Sequence, residues 1–209
     1  MKEFNFKLEP GRKLYNNREY VETFPLISVI VPFYNSEKFI EQTIKSILNQ
    51  TFPSYEILII DDGSTNKMAL EKLEQIKELD KRIKVFHKQN EGLATTRDYG
   101  ASKSNEHARY LMFIDDDDLI EPTFLECGFW TLETNKDAAW AYSDSLGFGS
   151  IEYTWNKYFS SEKMKKENDL ISAALVRKTD FFLVNGYNLK EKAVNEDWNF
   201  WLKLLSKEK

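Results

Sequence analysis

The chain has 209 residues, of which 42% are hydrophobic, 14% aromatic and 30% charged. This composition is typical of a globular protein, so disordered and fibrous classes are excluded, and the length suits one large domain. The formal net charge is −5 and the charges are interspersed, which argues against nucleic acid as a partner. Cys127 is the single cysteine, so an internal disulfide is excluded.

The sequence carries no signal for export or for a membrane span. Its N-terminus lacks an apolar signal core, and no apolar run reaches the roughly 18 to 20 residues that a transmembrane helix needs. We therefore expect a soluble, cytoplasmic protein, and a single cysteine fits such a reducing compartment. Contact with the inner face of a membrane, through a partner or a missing segment, stays open.

Strands and helices are predicted to alternate after a polar start. Residues 1–24 show no clear period, and we expect them to form a leader or linker. The predicted strands are 26–31 (which Pro32 ends), 56–60, 83–86, 110–114 and 138–142. The predicted helices run from an N-cap at Ser36 to Gln50, from an N-cap at Ser64 or Thr65 to about Leu79, from Gly92 to Ser102, and onward from Pro122. This alternation predicts an α/β fold with a mostly parallel central sheet flanked by helices.

Polar residues follow three of the predicted strands. They occupy 32–35 (Pro-Phe-Tyr-Asn), 61–63 (Asp-Asp-Gly) and 115–118, which is four consecutive aspartates. Ligands of such sheets bind beyond the carboxyl ends of the strands, so these loops are expected to meet at one edge. Crowded carboxylates repel one another unless a cation neutralises them, and a hard divalent ion with diphosphate oxygens would do so. The alternative for 115–118 is a solvated acidic turn.

Each of the other candidate residues has a structural and a functional interpretation. Asp-Gly at 62–63 is common turn chemistry, yet a second acid there could accept a hydrogen bond from a nucleobase or ribose. Tyr34 either packs on the next helix or stacks on a base. Arg97 is either a salt-bridge partner or a contact of a diphosphate. Asn195 either caps a helix, or the following Glu196 and Asp197 provide a general base.

Taken in order, these segments resemble family 2 glycosyltransferases, which are inverting enzymes with the GT-A fold. Residues 28–35, 46–51 and 56–65 are similar to the family's first strand and loop, first helix end, and second strand and turn. Residues 90–100 resemble its Gly-containing helix with Ala-Arg-Asn, and 113–118 its metal-binding Asp-x-Asp. Residues 185–187 with 196–198 are similar to its acceptor-side Gly-aromatic and Glu-Asp pair.

The resemblance implies a role for each matching residue. The donor nucleotide would be held by Pro32, Tyr34, Asn35, Asp62, Arg97, Asp115 and Asp116. Tyr34 and Asp62 would contact the base, expected to be uracil, Arg97 would lie near the diphosphate, and Asp115 or Asp116 would reach the ribose. Asp117 would ligate Mn²⁺ or Mg²⁺, and Asp197, with Glu196 as the other candidate, would deprotonate the acceptor. The expected partners are a nucleoside-diphosphate sugar and a glycan or lipid-linked acceptor in cell-surface polysaccharide or glycan synthesis.

The chain departs from the family pattern at several positions. Thr96 and Asp98 flank Arg97 where the family often has Ala and Asn, and Asn185 stands where a glycine is usual. Family members usually continue beyond the Glu-Asp helix, so we expect residues 25–209 to be the GT-A catalytic domain and leave open a truncation at its C-terminus. The aromatic stretch 153–159 could line a sugar site or pack in the core.

Two other classes of protein share some of these features. A nucleotidyltransferase also uses a parallel sheet and metal-binding acids, but it needs a Gly-rich, basic loop after the first strand, and residues 32–35 contain neither residue type. A non-catalytic nucleotide-sugar-binding protein would retain Tyr34, Asp62 and Asp117 without needing Asp197. Catalytic turnover separates this second class from an enzyme.

Overall fold

Strands and helices alternate through the part of the chain that the structure, a computed structural model, describes: residues 24–148, 152–155, 158–168, 170–187 and 195–206. Apart from Phe24, the expected leader lies outside these residues. The elements are β1 (Ile27–Phe33), α1 (Ile40–Leu48), β2 (Tyr55–Asp61), α2 (Lys67–Lys77), β3 (Ile83–His87), α3 (Leu93–Ser102), β4 (Tyr110–Phe113), α4 (Phe124–Thr134), β5 (Trp140–Tyr142), β6 (Ser145–Gly147), β7 (Tyr153–Trp155), α5 (Ser161–Met164), β8 (Ala174–Arg177), α6 (Lys178–Leu183) and α7 (Glu196–Leu205).

The described residues form a six-stranded sheet with the strand order β3-β2-β1-β4-β8-β5. Strands β3, β2, β1 and β4 are parallel, and β8 runs antiparallel to both of its neighbours, β4 and β5. Strands β6 and β7 pair as a separate antiparallel ribbon. The predicted α/β fold with a mostly parallel sheet is confirmed, whereas β8, inserted between the fourth and fifth predicted strands, was not predicted.

Helices cover both faces of the sheet, which explains why its central strands β1, β2 and β4 are buried along their whole length and rich in apolar residues. Helices α1, α2 and α4 pack on one face against alternate strand residues such as Val29 and Ile57. Helices α3, α6 and α7 pack on the other face against the intervening residues, such as Ile30 and Leu58. Among the described residues, none of the helices has both the length and the apolar character that crossing a bilayer requires.

The first strand continues through Pro32 to Phe33, so the prediction that Pro32 ends it is wrong. Ile30 accepts a hydrogen bond from the N–H of Ile114 on the β4 side, whereas Phe33 accepts one from Asp62 on the β2 side. Because alternate residues face the same neighbour, the nitrogen of Pro32 points to the β4 side. The pairing with β4 ends at Ile30, so the missing N–H of Pro32 breaks no ladder bond.

The predicted N-caps of the first two helices are wrong. Helix α1 begins at Ile40, and its N-cap is Phe39, three residues after Ser36. In α2 the cap is Asn66, whose side chain accepts a hydrogen bond from the N–H of Met68 at 3.0 Å. The hydroxyl of Ser64 instead accepts the N–H of Asn35, so it serves a contact between loops.

Candidate functional site

A cavity of about 520 Å³ lies at the carboxyl ends of the parallel strands, a size that suits a small-molecule ligand. The loops after β1, β2 and β4 all contribute to its wall, as does the start of α3. The residues that line it are Pro32, Phe33, Tyr34, Ser36, Asp62, Asn90, Gly92, Leu93, Thr96, Asp115 and Asp116. The structure therefore brings the three polar loops together at one edge, as the strand order requires.

The two aspartates after β2 have different surroundings. The carboxylate of Asp61 accepts the N–H of Ser64 at 3.0 Å and lies 2.8 Å from Nδ1 of His87, so it holds the turn. Asp62 lines the cavity. This division explains why the turn has two acids although one polar residue would suffice to form it.

The carboxylate of Asp62 is held by the segment that follows β3. Its Oδ1 accepts hydrogen bonds from Nζ of Lys88 at 2.6 Å and from the N–H of Glu91 at 3.0 Å, and its Oδ2 accepts the N–H of Gly92 at 2.9 Å. Burial raises the pKa of Asp62, but these donors outweigh that effect and leave it below its ordinary value. Asp62 therefore remains ionised at neutral pH.

Asn35 connects the loops after β1 and β2. It adopts the left-handed conformation with φ 50°, and its side-chain oxygen accepts the N–H groups of Thr65 and Asn66 at 2.9 and 2.8 Å. Asn35 is absent from the lining of the cavity, and its hydrogen bonds position the turn after β2; its expected contact with the nucleotide stays a prediction. Its neighbour Tyr34 lines the cavity with a side chain that is 49% exposed.

The acidic run after β4 enters the cavity through its first two members, Asp115 and Asp116. Asp115 Oδ2 accepts the hydroxyl of Ser172 at 3.1 Å. Burial, together with the charges of Asp117 and Asp115, raises the pKa of Asp116 to about 7. Asp117, the expected metal ligand, is exposed and is not among the residues that line the cavity.

Arg97 lies beneath this run with no exposed side-chain surface. Its Nη2 is 2.7 Å from Oδ1 of Asp115, and its Nη1 is 2.5 Å from Oδ1 of Asp197. The sequence predicted that Arg97 forms either a surface salt bridge or a contact with a diphosphate. The structure shows two ion pairs of the buried guanidinium, one with Asp115 and one with Asp197. A guanidinium in this position meets no ligand unless it moves.

Asp197 and Glu196 begin helix α7, as the sequence predicted. Burial raises the pKa of Asp197, and this effect exceeds the opposing effect of Arg97. Glu196 is more distant, with its Oε1 3.8 Å from Nη1 of Arg97. Asn195 stands at the N-cap position but has φ 70° and donates or accepts no side-chain capping bond, so the prediction that it caps the helix is not supported.

The turn at 185–187 is held by Asp98, one of the residues that depart from the family pattern. Oδ1 of Asp98 accepts the N–H of Tyr187 at 2.8 Å, and Lys203 donates to the carbonyl groups of Gly186 and Tyr187. A Cβ on Gly186, whose φ is +55°, would lie 2.4 Å from Asp98. Asp98 therefore supports the turn, and it does not compete with the ion pairs of Arg97.

Sequence reasoning missed Lys88 and Ser172 as parts of the site. Lys88 follows β3 directly, so its place at the carboxyl edge could have been found from the strand order. Ser172 precedes β8, which was not predicted. In the aromatic stretch 153–159, Tyr153 and Tyr158 are 55% and 97% exposed, which does not support core packing for these two side chains.

Solved structures identify the class of fold. The S. aureus TarS fragment 1–349 has a TM-score of 0.67 and 23% sequence identity, over 86% of this chain and 55% of that chain. The mannosyltransferase PcManGT from Pyrobaculum calidifontis, in complex with GDP-Man and Mn²⁺, has a TM-score of 0.63 and 14% identity, over 85% of this chain and 51% of that one. At these identities the likeness establishes the fold, which is that of the GT-A glycosyltransferases.

Sequence comparison then places the chain in a family. The model for "Glycosyl transferase family 2" matches residues 28–183, and the chain belongs to this family, which confirms the predicted membership. An uncharacterized glycosyltransferase of Haemophilus influenzae is 40% identical over 198 residues, which cover 87% of this chain and 60% of that protein. The chain spans smaller shares, 18% to 19%, of matching Rickettsia glycosyltransferases.

Proposed function

We propose that the chain transfers a sugar from a UDP-sugar to a hydroxyl group of a glycan or lipid-linked acceptor, with inversion at the anomeric carbon. One observation carries the proposal: Asp62, Asp115 and Asp116 line a single cavity, and Arg97 ties Asp115 to Asp197. Asp62 suits a nucleobase, the acidic run suits a cation and Asp197 suits an acceptor hydroxyl. These groups thus lie along one edge of the sheet. The setting that we propose is cytoplasmic synthesis of a cell-surface polysaccharide or other glycan.

Asp62 fits uracil better than guanine. Because it is ionised, it only accepts hydrogen bonds. Its Oδ1 already accepts two and its Oδ2 accepts one. The single N–H of uracil suits the remaining capacity of Oδ2, whereas guanine presents two adjacent donors that would need both oxygens. The TarS fragment was solved in complex with UDP and with UDP-GlcNAc, and PcManGT in complex with GDP-Man, so the choice of a uracil donor rests on Asp62.

The acidic run could hold a divalent ion, Mn²⁺ or Mg²⁺, in an open site, in which protein side chains supply only some of the ligands. The described residues contain no group of three or more His, Cys, Asp or Glu side chains that could enclose an ion. Their carboxylates are hard oxygen ligands, and the raised pKa of Asp116 reflects burial and crowded negative charge. We assign Asp117 as the residue that would hold the ion. A bound ion would offset the charge that develops on the departing nucleoside diphosphate.

Asp197 is the proposed general base. Its carboxylate takes the proton of the acceptor hydroxyl while the hydroxyl oxygen forms a bond to the anomeric carbon. The bond from this carbon to the diphosphate oxygen breaks on the opposite side, which inverts the anomeric centre. A pKa above the ordinary value makes Asp197 a stronger proton acceptor at neutral pH. The ion pair with Arg97 lowers the pKa of Asp197 but fixes the orientation of its carboxylate, and this fixed orientation favours Asp197 over Glu196 as the base.

Asp197→Asn tests the proposal, after a screen of nucleotide sugars with Mn²⁺ has found a donor that is turned over. We expect transfer to fall by about 10²–10⁴-fold, which is the usual contribution of a general base. UDP affinity, measured by calorimetry with Mn²⁺, should stay near that of the wild type because Asp197 does not line the cavity.

Glu196→Gln is the matched control, since it removes the neighbouring acid of the same turn. Transfer by this variant should fall much less than in Asp197→Asn. Undiminished transfer by Asp197→Asn would show that the base is misassigned. If the wild-type chain binds UDP but no nucleotide sugar in the panel is turned over, the non-catalytic binding protein becomes the better description.

A further inference from the structure

The guanidinium of Arg97 joins side chains from two separate elements. Asp115 follows β4 and lines the cavity, whereas Asp197 lies in the first turn of α7. One planar group donates to both, through Nη2 at 2.7 Å and Nη1 at 2.5 Å. Because the two nitrogens have a fixed geometry, the position of one carboxylate is tied to the position of the other.

The surroundings of Arg97 restrict its movement. The ring of Tyr187 lies 5.2 Å from the central carbon of the guanidinium, and this tyrosine is itself fully buried. Its backbone is held by Asp98 on one side and Lys203 on the other. To reach a diphosphate, Arg97 would leave this aromatic face and both carboxylates, and a buried charge that loses its partner is strongly destabilising.

We infer that Arg97 is a positioning residue that orients the base Asp197 and the donor-side Asp115 together, and that it stays inside the protein when the donor binds. The inference rests on the proposed function, and it replaces the expected contact between Arg97 and the diphosphate. It means that the donor and acceptor sides of the site share one internal cation.

Arg97→Lys tests this role while retaining the charge. Lysine carries one nitrogen on a flexible stem, so it does not reproduce the rigid double contact. We expect kcat to fall by about tenfold or more, because small displacements of a catalytic group are costly to the rate. The Kd for UDP with Mn²⁺, measured by calorimetry, should rise by up to about tenfold as Asp115 loses its partner.

Arg82→Lys is the matched control. Arg82 also pairs with a carboxylate through two nitrogens, at 2.9 and 2.8 Å from Asp80, but it precedes β3 at the opposite edge of the sheet. This variant should leave kcat and UDP affinity within about twofold of the wild type. If Arg97→Lys behaves like Arg82→Lys in both measurements, the inference is wrong. A wild-type chain without transferase activity would refute the proposed function, while the UDP affinities would still decide whether Arg97 supports Asp115.

A crystal structure of the wild type with UDP and Mn²⁺ provides a test that needs no variant. The inference expects both ion pairs of Arg97 to persist, with nitrogen–oxygen distances below about 3.2 Å. A guanidinium that has turned to contact a phosphate oxygen would overturn it. This measurement decides the question even if Arg97→Lys does not fold.

Discussion

The carboxyl group of Asp197 experiences opposing electrostatic effects. Burial raises its pKa, Arg97 lowers it, and the negative charges of Asp115 and Glu196 raise it again, so that the pKa lies above its ordinary value. A general base acts only in its ionised form. The active fraction of the protein therefore decreases as the pH falls through this raised pKa.

We expect kcat/KM to show an acid limb above about pH 4, which is the ordinary range of an aspartate. The affinity for UDP should also decrease as the pH falls, because Asp116 lines the cavity and its pKa is raised to about 7. The contribution of Asp197 is therefore the part of the kcat/KM profile that the profile of UDP affinity does not share. Kinetics and calorimetry from about pH 4 to pH 8 would compare the two profiles. A kcat/KM that stays constant down to pH 4 would contradict the role of Asp197.

The elements of the fold that the sequence predicted are those with a strong local signal. Strands β1, β2 and β4 are buried along their whole length and are therefore rich in apolar residues. The predicted bounds of β1 to β4 lie within two residues of the observed ones. The position of β8 could not be predicted from local sequence, because its pairing between β4 and β5 depends on contacts between distant segments. The N-cap of α2 was misplaced because the hydroxyl of Ser64 binds another loop instead of the helix.

The site was predictable in part for the same reason. Residues at the carboxyl ends of parallel strands meet whatever their type, so the convergence of Tyr34, Asp62 and Asp115 followed from the strand order. Sequence spacing contains no information about the partners of Arg97, which are Asp115 after β4 and Asp197 in α7. It also did not distinguish Asp61, which holds the turn, from Asp62, which lines the cavity.

Helix α3 approaches the sheet closely at Gly100. A Cβ at this position would lie 2.5 Å from Cγ2 of Ile30 and 3.0 Å from Cγ1 of Ile60. Gly100→Ala should therefore lower the free energy of unfolding by about 1–3 kcal/mol, as is usual for an overpacked core. Urea denaturation with a constant m-value would measure the change.

Gly128→Ala is the control, because it makes the same change within α4. Its Cβ would meet only the side chain of Leu175, at 3.3 Å or more, and alanine has the higher helix propensity by about 1 kcal/mol. The free energy of unfolding of this variant should not fall below that of the wild type by more than about 0.5 kcal/mol. Equal losses in the two variants would show that close packing at Gly100 is not the cause.

At the scale of the whole molecule, donor binding should be visible as thermal stabilisation. UDP that occupies the folded state at 100 times its Kd adds about 2.7 kcal/mol to the free energy of unfolding, which corresponds to an increase in Tm of about 5–10 °C for a chain of this size. We expect this increase with Mn²⁺ or Mg²⁺ and expect it to vanish in excess EDTA. Differential scanning fluorimetry measures both conditions.

Asp117→Asn serves as the matching variant in the same assay. Because Asp117 is exposed, the substitution should leave the Tm without ligand within about 2 °C of the wild type. The increase caused by UDP and Mn²⁺ should be lost. Equal stabilisation by UDP in EDTA, or an unchanged increase in Asp117→Asn, would refute the assignment of Asp117 as the metal ligand.

The position of β8 between β4 and β5 has a consequence for synthesis on the ribosome. Strand β5 pairs with β8, yet β8 is translated later, so residues 140–142 emerge before their neighbour exists. The parallel strands β1 to β4 precede both and form a contiguous block. A nascent chain can thus assemble this block first, while β5, β8 and the helix bearing Asp197 join it only after these later segments have been translated.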